Sequence, residues 1–569
     1  MAVDQTPLGP GEVKRWFLDT PDVAEGTFEI ALVLGGTVSA GAYTAGAVDF
    51  LIEALDAFYE AKKQGTAPKH DVTLRLMAGT SGGGVNAAIA GRALAFKYPH
   101  VARGTSVDPG AQTGNPFYDV WINTLRLERF LDTSDIDSGL TSFLNGQAID
   151  EGARQIASFR MGEPLARDWV ASPLRIILTV TSLCGIPYTT SFGNGLGQSY
   201  IDHADYVRFA LLYPGGTLGE PRPDELVLAF QNERVPQAVD WDYFSQFARA
   251  TAAFPAGFPA RALVRPANHY RYRVVPYPAD PTQPNQGANY FVRVPDWKAM
   301  KPPGAADVPD DWHFLAVDGG ATNNEPIELA RTSLAGLLGR NPRGAKEANR
   351  AVILIDPFAG RAALGPSGNT TLFNEFGAIA TALTQQARYD SADLLLASDP
   401  TVFSRFMLTP ARGELRGSEA IASGGLGAFI GFACPDFMRF DYLLGRANCQ
   451  KFLREEFVLA NDNPVFNEWT EGQKSDFGKM SPQGMLPVIP LFGAVTMPEV
   501  LDPWPKGKLK PERYRDAIEE RFRAIFEFEL SDDIARAAIA WVGAHAAQKR
   551  VADSVIDAMN AYLAKAGLS

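Results

Sequence analysis

The chain has 569 residues, 46% of them hydrophobic, 11% aromatic and 21% charged, with a formal net charge of −12. A chain this apolar can bury a large core, which excludes a mostly disordered protein. The acidic balance counts against nucleic acid as a partner and against polybasic docking to an anionic membrane, since both need clustered Lys and Arg.

Residues 1–26 form a polar, proline-containing lead-in with no secretory signal. The longest weakly polar stretches, Ser172–Pro187 and Gly424–Cys434, are too short or interrupted to span a bilayer. The expectation is a cytoplasmic protein that meets a membrane, if at all, from its surface. Cys184, Cys434 and Cys449 are widely spaced, which argues against a disulfide framework or a Cys-rich zinc site and predicts isolated buried thiols.

The run Glu29–Leu34 suits a buried strand, and a glycine-bearing turn follows at Gly35–Gly41. Val48, Leu51, Leu55 and Phe58 then recur at helical spacing. The pattern repeats at once: Val72, Leu74 and Leu76 alternate, Gly79–Gly84 turns the chain, and Val85, Ala88 and Ile89 begin a helix. Two consecutive strand–loop–helix units predict an α/β fold with a mainly parallel sheet covered by helices.

Further strands are expected at Arg175–Thr181, Glu225–Phe230, His313–Val317 and Ala351–Ile355, and helices at Ile327–Leu338 and Thr371–Leu396. Residues 97–140 and 193–310, rich in Pro, Gly and aromatics, read as insertions, either surface decoration or a lid or substrate wall. Beyond about residue 400 the sheet signal fades. Pro511–Leu530 and Ser531–Leu563 read as helices, the second capped by Ser531, Asp532 and Asp533. The chain thus divides into the lead-in 1–26, an α/β domain 27–360, and a mostly helical extension 361–569, packed on the core or forming a small second domain.

Three groups of residues could carry chemistry. Gly79-Thr80-Ser81-Gly82-Gly83 is a G-x-S-x-G pentapeptide at the end of a strand pattern and the start of a helix pattern. Its glycines permit a sharp turn that exposes Ser81, and the free amides of the following helix favour negative charge. A serine hydroxyl needs a base. His70, His203, His269 and His313 have no recognisable catalytic setting, and only His545 lies near the chain end as a Ser–Asp–His triad on an α/β-hydrolase fold would require. Asp318 is the better candidate, in Val317-Asp318-Gly319-Gly320 at the end of a strand, on the same edge as Ser81 if the strands are parallel. An ordinary Asp-Gly turn is the competing reading there. The third group is Gly35-Gly36-Thr37-Val38-Ser39-Ala40-Gly41, whose backbone amides could face Ser81 as an oxyanion hole. It lacks the P-loop ending and the G-x-G-x-x-G spacing of nucleotide-binding loops.

In order and spacing these elements resemble the patatin-like phospholipase family, which joins a glycine-rich oxyanion loop, a G-x-S-x-G serine and a D-G-G aspartate. Gly41-Ala42-Tyr43-Thr44-Ala45-Gly46, Ala250-Thr251-Ala252-Ala253-Phe254-Pro255, and Asp318-Gly319-Gly320 continuing to Asn324 and Pro326 add to the likeness. So do Phe440-Asp441-Tyr442-Leu443-Leu444-Gly445-Arg446 and Asn448-Cys449, similar to a segment of large bacterial members. The resemblance implies a three-layer patatin-like fold and a Ser81–Asp318 dyad with no histidine. It also implies an oxyanion hole of Gly36, Thr37 and Val38 supported by Gly35, Gly41, Gly79, Gly83, Gly319 and Gly320. No metal or cofactor is implied, and the substrate is a lipid ester. The loop departs from the family in one respect: Thr37 and Val38 replace two glycines and Ala40 stands where a basic residue is usual. Lipid esters without a phosphate therefore become more plausible substrates. Acyl transfer to an alcohol and a catalytically weak lipid-binding or interaction scaffold stay open, as does oligomeric state.

Overall fold

The computed structural model describes residues 15–16, 22–105, 107, 110–136, 139–191, 197–219, 221–230, 235, 238–277, 289–301, 307–337, 340–359, 396–479, 481–529 and 534–569. Its centre is a nine-stranded mixed sheet. In chain order the strands are β1 (Thr27–Leu34), β2 (Asp71–Gly79), β3 (Val170–Ser191), β4 (Gly197–Leu212), β5 (Glu225–Ala229), β6 (Arg261–Pro266), β7 (Asp311–Asp318), β8 (Arg350–Ile355) and β9 (Arg405–Leu408). Across the sheet they run β9-β8-β1-β2-β3-β4-β5, with β7 bridging β3 to β6. The β9–β8, β8–β1, β1–β2, β2–β3 and β4–β5 pairs are parallel. The pairs β3–β4, β3–β7 and β6–β7 are antiparallel.

Strand β1 is buried on both faces, as a central strand of a covered parallel sheet must be. Ile30, Leu32 and Leu34 enter the main core, while Ala31 and Val33 pack with Ile327, Ala330 and Leu334 of the helix Ile327–Ala335 on the opposite face. The main core also receives α1 (Gly41–Lys63), α2 (Gly82–Ala93) and the helix α3 (Pro435–Glu455) from the C-terminal third. The extension is therefore packed on the core. Helices α1 and α3 meet backbone to backbone: a side chain on Gly46 would run into the carbonyl of Tyr442, and one on Gly445 into the carbonyl of Tyr43. The fully buried Asp49 of α1 is held at this contact by Arg446 (2.6 Å), the Tyr442 hydroxyl (2.7 Å), His100 (2.9 Å) and Asn115 (3.1 Å).

Several sequence expectations change here. Residues 193–310 supply three strands of the sheet rather than decoration alone. Strand β4 was hidden because it carries Asp205 and Arg208, which are buried with ionic partners (Arg265 and Arg273, and Asp224) instead of facing water. Strand β9 extends the sheet past residue 400. Cys184 is exposed, against expectation, while Cys434 and Cys449 are buried. The stretch Thr371–Leu396 falls, apart from Leu396, outside the described residues, as do Ser531, Asp532 and Asp533. Among the described residues one helix, Val38–Lys63, is long and apolar enough to cross a membrane, but 89% of its apolar window is buried inside the fold.

Candidate active site

Ser81 lies between β2 and α2 with φ 54° and ψ −130°. A positive φ is uncommon for a residue with a Cβ, and such strain persists only where the surroundings enforce it. Here Gly79 and Gly83 allow the enforcement. A side chain on Gly79 would meet the backbone of Gly83 and Gly84 across the turn, and one on Gly83 would meet the carbonyl of Leu34. The Ser81 amide donates to Thr251 Oγ1 at 2.9 Å, and the Thr80 hydroxyl is locked between Thr179 Oγ1 (2.6 Å) and the Asn323 carbonyl (3.0 Å). The turn is thus pinned on both sides of Ser81.

Asp318 ends β7, and a long-range register brings it to Ser81. Strands β2 and β7 lie on the same side of β3 and run in opposite directions. Gly79 pairs with Leu178 and Asp318 with Val180, so the C-terminal ends of β2 and β7 meet two residues apart along β3. The two residues come together end to end, not as neighbours on one edge of parallel strands.

The Asp318 amide donates to the Ala253 carbonyl (2.9 Å), its own carbonyl accepts from Thr181 (2.9 Å), and Oδ1 accepts from the Gly320 amide (2.7 Å). Burial pushes the Asp318 carboxyl up to about 7, and hydrogen bonds from Ser81 and Gly320 only partly offset this. Gly319 sits against Thr179, where a side chain would not fit.

The loop after β1 passes directly over this pair. A methyl on Gly36 would lie 3.3 Å from Ser81 Cβ, and one on Gly82 would lie 3.2 Å from the Val38 carbonyl. Gly36 donates its amide to the Asn324 carbonyl at 3.3 Å. The amides of Thr37 and Val38 make no hydrogen bond among the described residues. Val38 has φ 47°, an outlying conformation for a β-branched residue. Gly35 lies at the end of β1, its amide bonded to the Ile355 carbonyl at 3.2 Å, and Gly41 opens α1 against Trp121.

The C-terminal third holds this loop from behind. The Ala428 carbonyl accepts both the Ser39 amide (3.2 Å) and the Ser39 hydroxyl. Leu426, Gly427 and Ala428 all have positive φ, which turns that carbonyl inward.

Ser81, Gly82, Val38 and Asp318 open into one chamber of about 650 Å³, counting its mouth. Its walls are Val120, Trp121, Leu125 and Phe130 from residues 97–140; Ile149 and Ile156 from α4 (Gln147–Ser158); Ala248 and Ala252 at the end of α5 (Trp241–Thr251); and Phe254, Phe258, Phe429 and Phe432. Trp121 Nε1 is bonded to Asn86 at 2.8 Å and offers the chamber only its ring. A hydrocarbon-lined space with a serine hydroxyl at one point suits a chain-like apolar substrate.

No histidine lines the chamber. His70 is a packing residue, bonded to the Val488 carbonyl (2.8 Å) and Trp469 (3.0 Å), and burial pushes it down to about 4. His203 bonds the Ser182 carbonyl at 2.7 Å, His269 is buried, and His313 sits within β7. His545 lies inside the helix Ile534–Ala566. Among the described residues no group of three or more His, Cys, Asp or Glu is placed to hold a metal. Sequence reasoning missed Thr251, Arg249 and the Phe429–Phe432 wall. Thr251 had a signal in the Ala250–Pro255 segment, whereas nothing local marked Arg249 or the wall.

The chain combines a mixed, mainly parallel sheet flanked by helices with a strained serine facing an apolar chamber. Residues 32–331 match the family model described as Patatin-like phospholipase. The chain belongs to that family, whose members act on lipid esters. It is also 32% identical over 550 residues to the uncharacterized protein y4iI of Sinorhizobium fredii (strain NBRC 101917 / NGR234), a match covering 85% of this chain and 73% of that protein.

Proposed function

We propose that this protein is a serine lipid acyl hydrolase of phospholipase A, lysophospholipase or lipid esterase type, working through a Ser81–Asp318 dyad. The observation that carries the reading is the strained Ser81 and the buried Asp318 lining one hydrocarbon-walled chamber. Asp318 accepts the Ser81 proton as Oγ attacks the ester carbonyl. The tetrahedral oxyanion is met by the free amides of Thr37 and Val38, joined by Gly82 in the first turn of α2, where helix amides have no internal acceptor. Collapse breaks the ester C–O bond, and the proton returns from Asp318 to the leaving alcohol. Water, deprotonated by Asp318, then attacks the acyl-enzyme and releases the fatty acid with Ser81 reprotonated.

The Gly36 amide, already given to Asn324, acts as a brace for the loop and not as a donor to the oxyanion. The acyl chain lies among Val120, Leu125, Phe130 and Ile156.

A fluorophosphonate probe should label Ser81 in the wild-type protein and fail on Ser81→Ala. A folded wild-type protein that neither labels nor hydrolyses any lipid ester would sink this reading.

A further inference from the structure

Apart from the reacting pair, the chamber is lined by apolar groups and glycines, with one exception. Arg249 is the single charged side chain other than Asp318 among its lining residues. It stands on the last turn of α5, two residues before Thr251, whose hydroxyl holds the Ser81 amide. Its side chain is 28% exposed, so it sits at the chamber's rim and not in its depth. Among the described residues its one ionic partner is Asp150 on α4, at 3.3 Å, and that carboxylate is shared with Arg261 at 2.9 Å. Two guanidiniums on one carboxylate leave an excess of one positive charge.

The oxyanion loop, meanwhile, has Ala40 where the family usually places a cation. The charge absent from the loop is present across the chamber, on a helix that also fixes the nucleophile.

We infer that Arg249 is a specificity-determining residue that takes a phosphate on the alcohol side of the substrate ester while the acyl chain fills the apolar chamber. This deepens the hydrolase reading and rests on it. A guanidinium suits the task because it offers a planar fork of donors to phosphate oxygens, and Asp150 orients it without neutralising the site. The inference reverses the expectation, drawn from Ala40 alone, that phosphate-free esters are favoured.

The test compares three octanoyl esters used as monomers: lysophosphatidate, lysophosphatidylcholine and monoacylglycerol. For Arg249→Gln, kcat/KM should fall about ten- to hundred-fold on both phosphate esters, mainly through KM, the size expected for losing a hydrogen bond to a charged group. It should change less than about threefold on monoacylglycerol, and Arg249→Lys should recover part of the loss. An equal loss on all three esters would mean a structural role, and no loss on any would mean no contact; either overturns the proposal. Binding of an ether-linked lysophosphatidate to Ser81→Ala and to Ser81→Ala/Arg249→Gln reads the same contact without turnover. A wild type that hydrolyses none of the esters therefore counts against the hydrolase, while equal affinity of those two variants counts against Arg249.

Discussion

Asp318 carries two opposite demands. As the proposed base it must be ionised, yet burial raises its carboxyl to about 7 from an ordinary value near 3.8. Activity should therefore climb as pH rises through about 7 and level off above it, which a pH profile of kcat/KM on a neutral ester will show. The stability effect has the other sign. Between about 4 and 7 the unfolded carboxyl has lost its proton while the folded one keeps it, so stability falls as pH rises across that window. Asp318→Asn removes the charge and keeps an oxygen for the Gly320 amide. It should lose activity by about 10²–10⁴-fold and gain up to about 4 kcal/mol of stability at pH 8. A denaturant melt in which the variant is no more stable than wild type at pH 8 would show that the buried charge is not the cost argued here.

Asp441, in α3, is also fully buried and pushed up to about 7 by burial, against hydrogen bonds from the Ala422 and Ser423 amides. It anchors the segment that leads to Ala428, so the loop behind the active site shares this pH window.

At the scale of elements, the oxyanion loop is the vulnerable part. Its free amides are aimed by Val38 in a left-handed conformation, and that conformation is braced by Ser39 on the Ala428 carbonyl. A methyl on Gly431 would collide with Ser39 Oγ and crowd Ser423. Gly431→Ala should thus lower kcat about tenfold or more with little change in KM, since one misplaced oxyanion donor costs of that order. Ser39→Ala, which keeps the amide bond and drops the hydroxyl one, should have a smaller effect in the same direction. Steady-state kinetics on a short-chain ester separate the two parameters. A pure KM effect would mean that the segment shapes the acyl site and not the oxyanion hole.

The segment Phe440–Arg446 looked in the sequence like a family marker of unknown purpose. In the fold it is the seam between helices: Tyr442 and Arg446 hold Asp49, and Gly445 lets α1 and α3 touch. Burial by itself would raise the Asp49 carboxyl, but His100, Arg446 and Tyr442 hold it down at about 2.

For the whole molecule, the family match ends at residue 331 while the core does not. Phe437, Leu444, Phe452 and Phe457 belong to the same cluster as Phe28, Phe50 and Phe58. Breaking the seam by Arg446→Ala leaves Asp49 buried without its guanidinium and should cost about 3–5 kcal/mol, read as a drop in the denaturation midpoint at unchanged slope. A chain cut after residue 360 should fail to give a soluble, cooperatively folded protein, because α1 would expose the face that α3 covers. A truncated protein with a sharp melt and full esterase activity would show the extension to be dispensable.

What the sequence determined by itself was local. An apolar run marked β1, hydrophobic alternation marked β2, and the glycines around Ser81 marked a turn that side chains could not make. The order of the loop, the serine and the aspartate pointed to the family without a single contact being known. Only the tertiary structure decided what each element faces. Periodicity reports that a face is buried, not what buries it, so β4 with its paired charges passed as an insertion and the Phe429–Phe432 wall passed as tail. The end-to-end meeting of β2 and β7 along β3 depends on a register between segments more than two hundred residues apart. That register brings Asp318 to Ser81, and the same long-range packing sets Arg249 at the rim of the chamber they share.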